Sequence, residues 1–198
     1  MSHFSVAVFM ADDKQSIDAL LAPYDENMEV EPYNHEGSLS TYNPESKWDG
    51  YSIGGRWHGM LILKANKKGI RGTPSFQEMS DGYDGAFVRD IDFEAIRKRN
   101  AAKLQPYEEA MKNSHMKEDT MRKRFPTEAE YMKRSTLFHT YATVTLDGEW
   151  HEPGKMGWWG MPLASAKAER EWELAYYDRF IKPAIENNWY MVLVDCHI

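Results

Sequence analysis

The sequence predicts an α+β fold of the ferredoxin-like type: an antiparallel sheet with helices on one face, a β-hairpin and a helical insertion. Stretches with alternating apolar residues stand at both ends of the chain, at His3–Met10 and Trp189–Ile198. Segments with helical spacing separate the predicted strands, in the order strand, helix, strand, insertion, strand, helix, strand. No repeat or linker divides the chain, so residues 1–198 are predicted to form a single domain.

The two terminal strands are expected to lie side by side and antiparallel. In each strand one face is apolar throughout: Phe4, Val6, Val8 and Met10 in the first, and Tyr190, Val192, Val194, Cys196 and Ile198 in the last. The opposite faces carry His3, Ser5, Ala7 and Phe9, and Met191, Leu193, Asp195 and His197. Antiparallel pairing then brings His3 close to Asp195 and His197 at one end of the sheet. We expect this end to lie away from the core that the helices cover.

Spacing and punctuation assign the elements of the first half. Asp12 or Asp13 is expected to cap a short helix that ends at Leu21, because a side-chain oxygen can accept from the first free amides of a helix. Three further elements are predicted before residue 86: a short strand at Met28–Tyr33, a buried strand at Trp57–Leu63, and a long surface loop at Asn66–Gly85.

Residues 92–136 are predicted to form a helical insertion of two or three helices. Ala, Glu, Lys, Arg and Met recur there at helical spacing, and Pro106 and Pro126 punctuate the pattern. Its basic residues indicate a solvated helix face or, alternatively, a contact with an anion or nucleic acid. The elements after it are a strand at Phe138–Leu146, a type I′ hairpin turn at Asp147-Gly148, a return strand at Glu149–Glu152, and a helix from the cap Ser165 to about Glu186.

Composition and charge narrow the classes of function. The net charge of −7 argues against a protein that coats nucleic acid generally, because such proteins are normally basic. Cys196 is the only cysteine, so an intrachain disulfide and a cysteine zinc cluster are both excluded. The N-terminus has no signal-peptide pattern and no apolar run approaches the length of a membrane span, so we expect a cytoplasmic protein without a membrane contact.

Ser46–Gly59, the first tryptophan motif, combines aromatic and charged side chains with a flexible backbone. It reads Ser-Lys-Trp-Asp-Gly-Tyr-Ser-Ile-Gly-Gly-Arg-Trp-His-Gly, with four glycines in fourteen positions. Glycine lets the backbone come close to a ligand, and arginine offers a fork of donors that suits phosphate. The alternative is a Gly-Gly bulge in a strand, with Trp48 and Trp57 as anchors in the core.

The second tryptophan motif, Pro153–Gly160, follows the predicted hairpin. Five of the seven tryptophans lie in or directly beside the two motifs. Aromatic faces with Arg and Lys nearby suit nucleobase stacking and phosphate binding, although a protein-binding hot spot has a similar composition. The candidate ligand-binding residues are Lys47 and Arg56 for phosphate, Trp48, Trp57 and Trp158 for stacking, and His151 beside them.

The candidate catalytic residues are His3, Asp49, Asp195 and His197. Imidazoles and carboxylates transfer protons near neutral pH and also bind divalent metals, so both roles stay open, as does a role as ordinary polar residues at the chain ends. No particular metal or cofactor is indicated. His3-Phe-Ser5 has the form of the His-x-Ser/Thr motif of two-histidine phosphoesterases, but the only other candidate motif, His139-Thr140, has the wrong spacing.

Three stretches resemble a family of small proteins of bacteriophages and bacterial mobile elements: Ser46-Lys-Trp-Asp-x-Tyr-x-Ile-Gly-Gly-Arg-Trp57, Asp147-Gly-Glu-Trp-His-Glu-Pro-Gly-x-Met-Gly-Trp-Trp-Gly160 and Val194-Asp-Cys-His-Ile198. The helical insertion carries none of these motifs. The resemblance implies a source rather than a reaction. A phage source would favour roles in counter-defence or host takeover, by analogy only.

Three classes of function stay open. We expect a site for a nucleotide-type ligand between the two tryptophan motifs and the outer end of the sheet, which either sequesters or hydrolyses its ligand. The alternative is a non-enzymatic inhibitor that binds a host protein through a Trp-rich surface, and the acidic charge would favour a basic target. In the third, the protein has a structural or assembly role and the motifs only pack.

Overall fold

Strands β1 (His3–Met10) and β9 (Tyr190–His197) form the centre of the fold and pair antiparallel over their full length. The structure is a computed structural model that describes residues 2–75, 81–154 and 164–198. Seven of the eight residues in each strand are buried, as expected for central strands with both faces covered. The predicted pairing is confirmed, with His3 opposite His197 and Ser5 opposite Asp195.

Within the described residues the main sheet has seven strands, and their directions are mixed. Strands β4 (Gly50–Gly55) and β6 (Gly85–Phe87) pair antiparallel with different halves of β9. Strand β7 (Ala142–Val144) runs parallel to β1 and antiparallel to β8 (Trp150–His151), while β5 (Thr73–Pro74) runs parallel to β4. The α+β class is therefore confirmed. A wholly antiparallel sheet is wrong, and the ferredoxin-like arrangement is not confirmed.

Helices pack on both faces of this sheet, so the prediction of helices on one face is also wrong. Helix α1 (Ile17–Leu21) covers the face of β1 that carries Val6 and Val8. Helix α6 (Ala166–Tyr176) covers the opposite face. Because side chains alternate along a strand, His3 and Asp195 share the face that α6 covers. The expectation that they lie away from the helix-covered core is therefore wrong as well.

The C-terminal helical segment follows its prediction closely. Ser165 caps α6 by accepting the amide of Ala168 at 3.1 Å. The helix continues through a π-helical turn, Tyr177–Ile181, into α7 (Lys182–Glu186). Its inward stripe, Trp172, Tyr176 and Phe180, packs against the sheet.

The predicted insertion is mainly helical and supplies no strand in its described residues. It has four helices rather than two or three: α2 (Phe93–Ala102), α3 (Tyr107–Asn113), α4 (Glu118–Arg124) and α5 (Glu128–Thr136). Helices α3 to α5 enclose a small core of their own, formed by Ala110, Met111, Phe125 and Tyr131, whereas Ile96 of α2 packs in the main core. The insertion is nevertheless tied to the rest, because Arg99 donates to the carbonyls of Gly59 at 3.0 Å and Met60 at 2.7 Å.

Local assignments in the first half differ in three places. The cap of α1 is Ser16, whose hydroxyl accepts a hydrogen bond from the amide of Ala19. Neither Asp12 nor Asp13 occupies that position. The predicted strand at 28–33 begins only at its last residue, in a separate hairpin of β2 (Tyr33–His35) and β3 (Ser38–Ser40). The predicted strand at 57–63 is wrong, since these residues form a turn and isolated bridges. The strand of the first tryptophan motif is β4, which ends before them at Gly55.

The hairpin between β7 and β8 is present, but its turn is not type I′. The carbonyl of Thr145 accepts the amide of Gly148 at 2.9 Å, so Leu146 and Asp147 are the central residues. A type I′ turn needs positive φ at both central positions, whereas here Gly148 alone has one, at 81°.

Candidate functional site

The first tryptophan motif turns sharply after β4 because two glycines end that strand. Gly54 and Gly55 have φ angles of 80° and 53°, in the left-handed region that favours glycine. A side chain at Gly55 would overlap Asp195. Since Gly55 has none, the backbone comes close enough for the Arg56 amide to donate to Asp195 Oδ2 at 2.9 Å.

A second buried carboxylate, Asp84, holds the same turn from its other side. It is fully buried and accepts the amides of Gly59 and Gly72, both at 2.7 Å. His58 Nδ1 lies 2.8 Å from Asp84 Oδ2 but not in hydrogen-bonding geometry. A buried carboxylate is tolerated only where donors compensate its lost hydration. We therefore assign Asp84 a structural role in shaping this turn.

His3 and Asp195 form a hydrogen-bonded pair, with 2.9 Å between Nδ1 and Oδ1. The side chain of His3 is 15% exposed and that of Asp195 only 2%. Both oxygens of Asp195 are bonded, one to the ring of His3 and the other to the Arg56 amide. Asp195 therefore fixes the histidine ring and the turn of the first tryptophan motif together.

His197 and Asp49 form a second pair, in which His197 Nδ1 is hydrogen-bonded to Asp49 Oδ1. This pair is more open than the first, since its side chains are 30% and 29% exposed. The Asp49 amide also donates to the His197 carbonyl at 2.9 Å, so the two residues are joined through main chain and side chain. A side chain at Gly50 would overlap the imidazole of His197, and glycine there leaves room for the ring.

The two pairs form one cluster, which we call the His–Asp site: His3, Asp195, His197 and Asp49. The ring centroids of its histidines are 5.4 Å apart. In each ring Nδ1 faces a carboxylate, which fixes the orientation and tautomer and leaves Nε2 for a ligand. Two such nitrogens can accept a proton from one group and donate a proton to another. The structure thus brings all four predicted catalytic residues together.

The other interpretations of these histidines fare differently. Among the described residues, no group of three or more His, Cys, Asp and Glu side chains is placed to hold a metal ion. His139, the second candidate for a two-histidine phosphoesterase motif, does not pair with His3. The residue opposite His3 is His197.

Three predicted ligand-binding residues lie in other surroundings. Trp48 is 7% exposed in the core beneath α1, and its indole donates to a main-chain carbonyl of that helix at 3.3 Å. Its role as a stacking face is wrong, and the alternative of a core anchor applies. Lys47 is paired with Glu152 at 3.1 Å. His151 lies on β8, two strands from β1, where burial and the nearby Arg179 guanidinium lower its pKa.

Arg56 and Trp57 are the predicted binding residues that stay beside the His–Asp site. Arg56 is exposed, and Trp57 is half-buried in the wall of a cavity of about 530 Å³. We call it the helix-side cavity, because β1, the helical insertion and α6 enclose it. Its wall includes Ser5, Trp57, Asn100, His139, Tyr141 and Trp172. Trp158, and with it residues 155–160 of the second tryptophan motif, lies outside the described residues.

Some residues of the site region have no distinctive sequence pattern. Asp84 stands in a stretch rich in Gly, Ser, Asp and Lys, a composition typical of surface loops, yet it is fully buried. Its position between Gly82 and Gly85 is the only hint of a constrained turn. His139 and Tyr141 lie just before a short strand and line the cavity because the helical insertion folds over them. Their place in a cavity wall follows only from the tertiary arrangement of the insertion.

Comparison of the chain with protein-family models, with curated proteins and with solved structures found no match. Among the described residues, none of the helices has both the length and the apolar character needed to cross a membrane.

Proposed function

We propose that the His–Asp site performs acid–base chemistry on a phosphate-bearing ligand of the nucleotide type. The observation that carries this proposal is the pair of imidazoles 5.4 Å apart, each held through Nδ1 by its own carboxylate. A cluster that only had to stabilise the sheet would not require two glycines, Gly50 and Gly55, to vacate space for it.

The chemistry that suits this arrangement is hydrolysis of a phosphate ester or anhydride. Attack by water at phosphorus releases a proton, and the departing oxygen gains one when its bond to phosphorus breaks. One imidazole takes the first proton and the other supplies the second. The carboxylates of Asp195 and Asp49 hold the rings in position and stabilise the imidazolium that forms.

Arg56 and Trp57 are the residues that we assign to ligand binding. The main chain of Arg56 is anchored on Asp195, so its side chain starts next to the His–Asp site. A guanidinium can bind phosphate through two parallel hydrogen bonds. Trp57 follows directly and presents a half-buried indole on which a nucleobase can stack. The motif resemblance supports an accessory role in a phage or mobile element, such as counter-defence.

A second candidate function is inhibition of a host protein without catalysis. Large apolar side chains are exposed on and near the β2–β3 hairpin: Leu39 is 82% exposed, Tyr42 52% and Met28 44%. Exposed apolar groups that cluster in one region are typical of protein-binding surfaces. In this case the His–Asp site would be dispensable for function, which separates the two candidates experimentally.

A turnover assay tests the catalytic proposal. The protein is incubated with mononucleotides, cyclic nucleotides and short oligonucleotides, and products are followed by chromatography and phosphorus NMR. Removing a general acid or base lowers a rate by about 10²–10⁴-fold, so His197→Gln should reduce turnover by at least about a hundredfold. The matched control is His115→Gln, an exposed histidine of the insertion. No turnover of any probe, or equal turnover by His197→Gln, would overturn the proposal.

A binding assay tests the role of Arg56 separately. Arg56→Lys keeps the charge but loses the two-pronged donor. A charge-assisted hydrogen bond contributes roughly 1.5–3 kcal/mol, so affinity should fall by about one to two orders of magnitude. The melting temperature should hardly change, since the side chain is exposed. Titration of tryptophan fluorescence with nucleotides measures the affinity, and an unchanged value means that Arg56 does not bind the phosphate.

A further inference from the structure

We infer that the helix-side cavity binds the uncharged heteroaromatic group of the ligand whose phosphate lies at the His–Asp site, with His139 as its hydrogen-bonding partner. The inference rests on the proposed function for the position of the phosphate. It deepens the proposed function by assigning the base of the nucleotide-type ligand, a group that a sugar phosphate or inorganic phosphate lacks, to this cavity and to His139.

The cavity and the His–Asp site are neighbours. Ser5 lines the cavity and is the residue of β1 directly opposite Asp195. Trp57 also lines it and follows Arg56, whose amide is bonded to Asp195. The volume of about 530 Å³ lies within the range of roughly 300–1,000 Å³ that is typical of small-molecule sites. One ligand can therefore reach from the His–Asp site into the cavity.

The charged groups of the cavity wall are already paired, with one another or with the buried Arg134. Arg124 is paired with Glu169 at 3.2 Å and with Glu173 at 3.3 Å. Glu173 also accepts from the buried Arg134 at 2.7 Å. A phosphate entering here would meet two carboxylates and an arginine that is already paired. The cavity therefore suits an uncharged group, and the phosphate is left at its mouth.

His139 supplies hydrogen bonds without a charge. Among the described residues, no hydrogen-bond partner is found for its ring, although the ring lines the cavity. Burial lowers the pKa of His139, an effect opposed by the nearby Glu173 and reinforced by Arg124 and Arg134. A neutral imidazole has one donor and one acceptor, and the edges of a nucleobase carry groups of both kinds.

Aromatic groups and a buried hydroxyl complete the wall. The indoles of Trp57 and Trp172 lie in it, and stacking of a base on an aromatic ring contributes about 1–3 kcal/mol to binding. The hydroxyl of Tyr141 is buried without a hydrogen-bond partner among the described residues. These features match a planar ring with polar edges better than an aliphatic chain.

Calorimetric titration with three probes tests the inference: inorganic phosphate, free nucleosides, and the matching nucleoside monophosphates. At least one nucleoside should bind without any phosphate. His139→Phe keeps a planar ring but loses both nitrogens, so nucleoside affinity should fall about three- to tenfold for each hydrogen bond lost. His115→Phe, at an exposed position, should have no effect. Leu137→Trp, which fills the cavity, should abolish nucleoside binding and leave the circular dichroism spectrum of the fold unchanged.

The outcomes separate this inference from the proposed function. Turnover of phosphate compounds with no nucleoside binding would overturn the inference and leave the catalytic proposal for the His–Asp site standing. A second outcome is nucleoside binding that is lost in His139→Phe but unaffected by His197→Gln, together with no turnover of any phosphate compound. It would support the inference and overturn the catalytic proposal. Nucleoside binding that survives both His139→Phe and Leu137→Trp would place the binding site outside the cavity and overturn the inference.

Discussion

His3 Nδ1 and Asp195 Oδ1 lie 2.9 Å apart although 192 positions separate the two residues in the chain. The contact is diagonal across the two central strands, because the residues directly opposite are His197 and Ser5. A slip of one position between β1 and β9 would turn one strand over and move its members of the cluster to the opposite face. The His–Asp site therefore depends on the same register of β1 and β9 that places apolar side chains on the two faces of the main sheet.

Asp195→Asn should destabilise the fold clearly more than Asp49→Asn. Asp195 is buried and accepts from both His3 and the Arg56 amide, and hydrogen bonds to a charged group contribute about 1.5–3 kcal/mol. The Asp49 pair is about a third exposed, and such pairs contribute less than about 1 kcal/mol. Urea denaturation of both variants measures the difference. Equal losses would show that the burial of Asp195 is not what makes its pair strong.

Gly55→Ala should cost more stability than Gly148→Ala. Both positions have positive φ, 53° and 81°, so both substitutions carry a left-handed penalty of about 1–2 kcal/mol. An added carbon at Gly148 meets open space, whereas at Gly55 it overlaps Asp195. Overpacking adds about 1–3 kcal/mol at Gly55. Thermal melts of both variants test this, and a smaller loss for Gly55→Ala would contradict the close approach of the turn to Asp195.

The terminal strands were predictable because their pattern is complete in itself. Each strand has one face that is apolar throughout and a second face that ends in polar residues, and this match between the two strands grouped His3 with Asp195 and His197. Strand β7 has only three residues, and nothing in a stretch that short specifies a parallel neighbour. The mixed strand directions of the sheet therefore could not be predicted from local sequence patterns.

Trp48 and His139 show why the site was only partly predictable. An indole beside glycines has the same sequence appearance in a core or at a binding face, and burial beneath α1 decided the case of Trp48. His139 gained its position in a cavity wall from helices that are remote in the chain. Sequence periodicity reports which residues share a face, not which distant element covers that face.

The free energy of unfolding of the wild type minus that of His139→Phe should decrease as the pH falls. Burial lowers the pKa of His139 below its ordinary value of 6.5. Below that value the unfolded chain binds a proton that the folded protein resists, so the wild type loses stability there and the variant does not. Urea denaturation at pH 8, 7, 6 and 5 gives the difference directly. A difference that stays constant or grows toward low pH would mean that His139 is not kept neutral by burial.

Arg134→Met should destabilise the protein strongly, and adding Glu173→Leu should restore most of the loss. The side chain of Arg134 is fully buried, donates to Glu173 at 2.7 Å and so ties α5 to α6. Removing one member of a buried ion pair costs about 3–5 kcal/mol. Here Glu173 would lose its shorter ion pair and keep only the one with Arg124 at 3.3 Å. Replacing both by apolar residues of similar size is often neutral, since no charge stays buried.

Arg122→Met is the control: Arg122 is paired with Glu108 and Glu118 on the surface, and its replacement should leave stability close to wild type. Chemical denaturation of the two single variants, the double variant and the control completes the cycle. If the double variant is as unstable as Arg134→Met alone, the loss comes from packing rather than from an unpaired charge, and the ion pair is not what joins the insertion to α6.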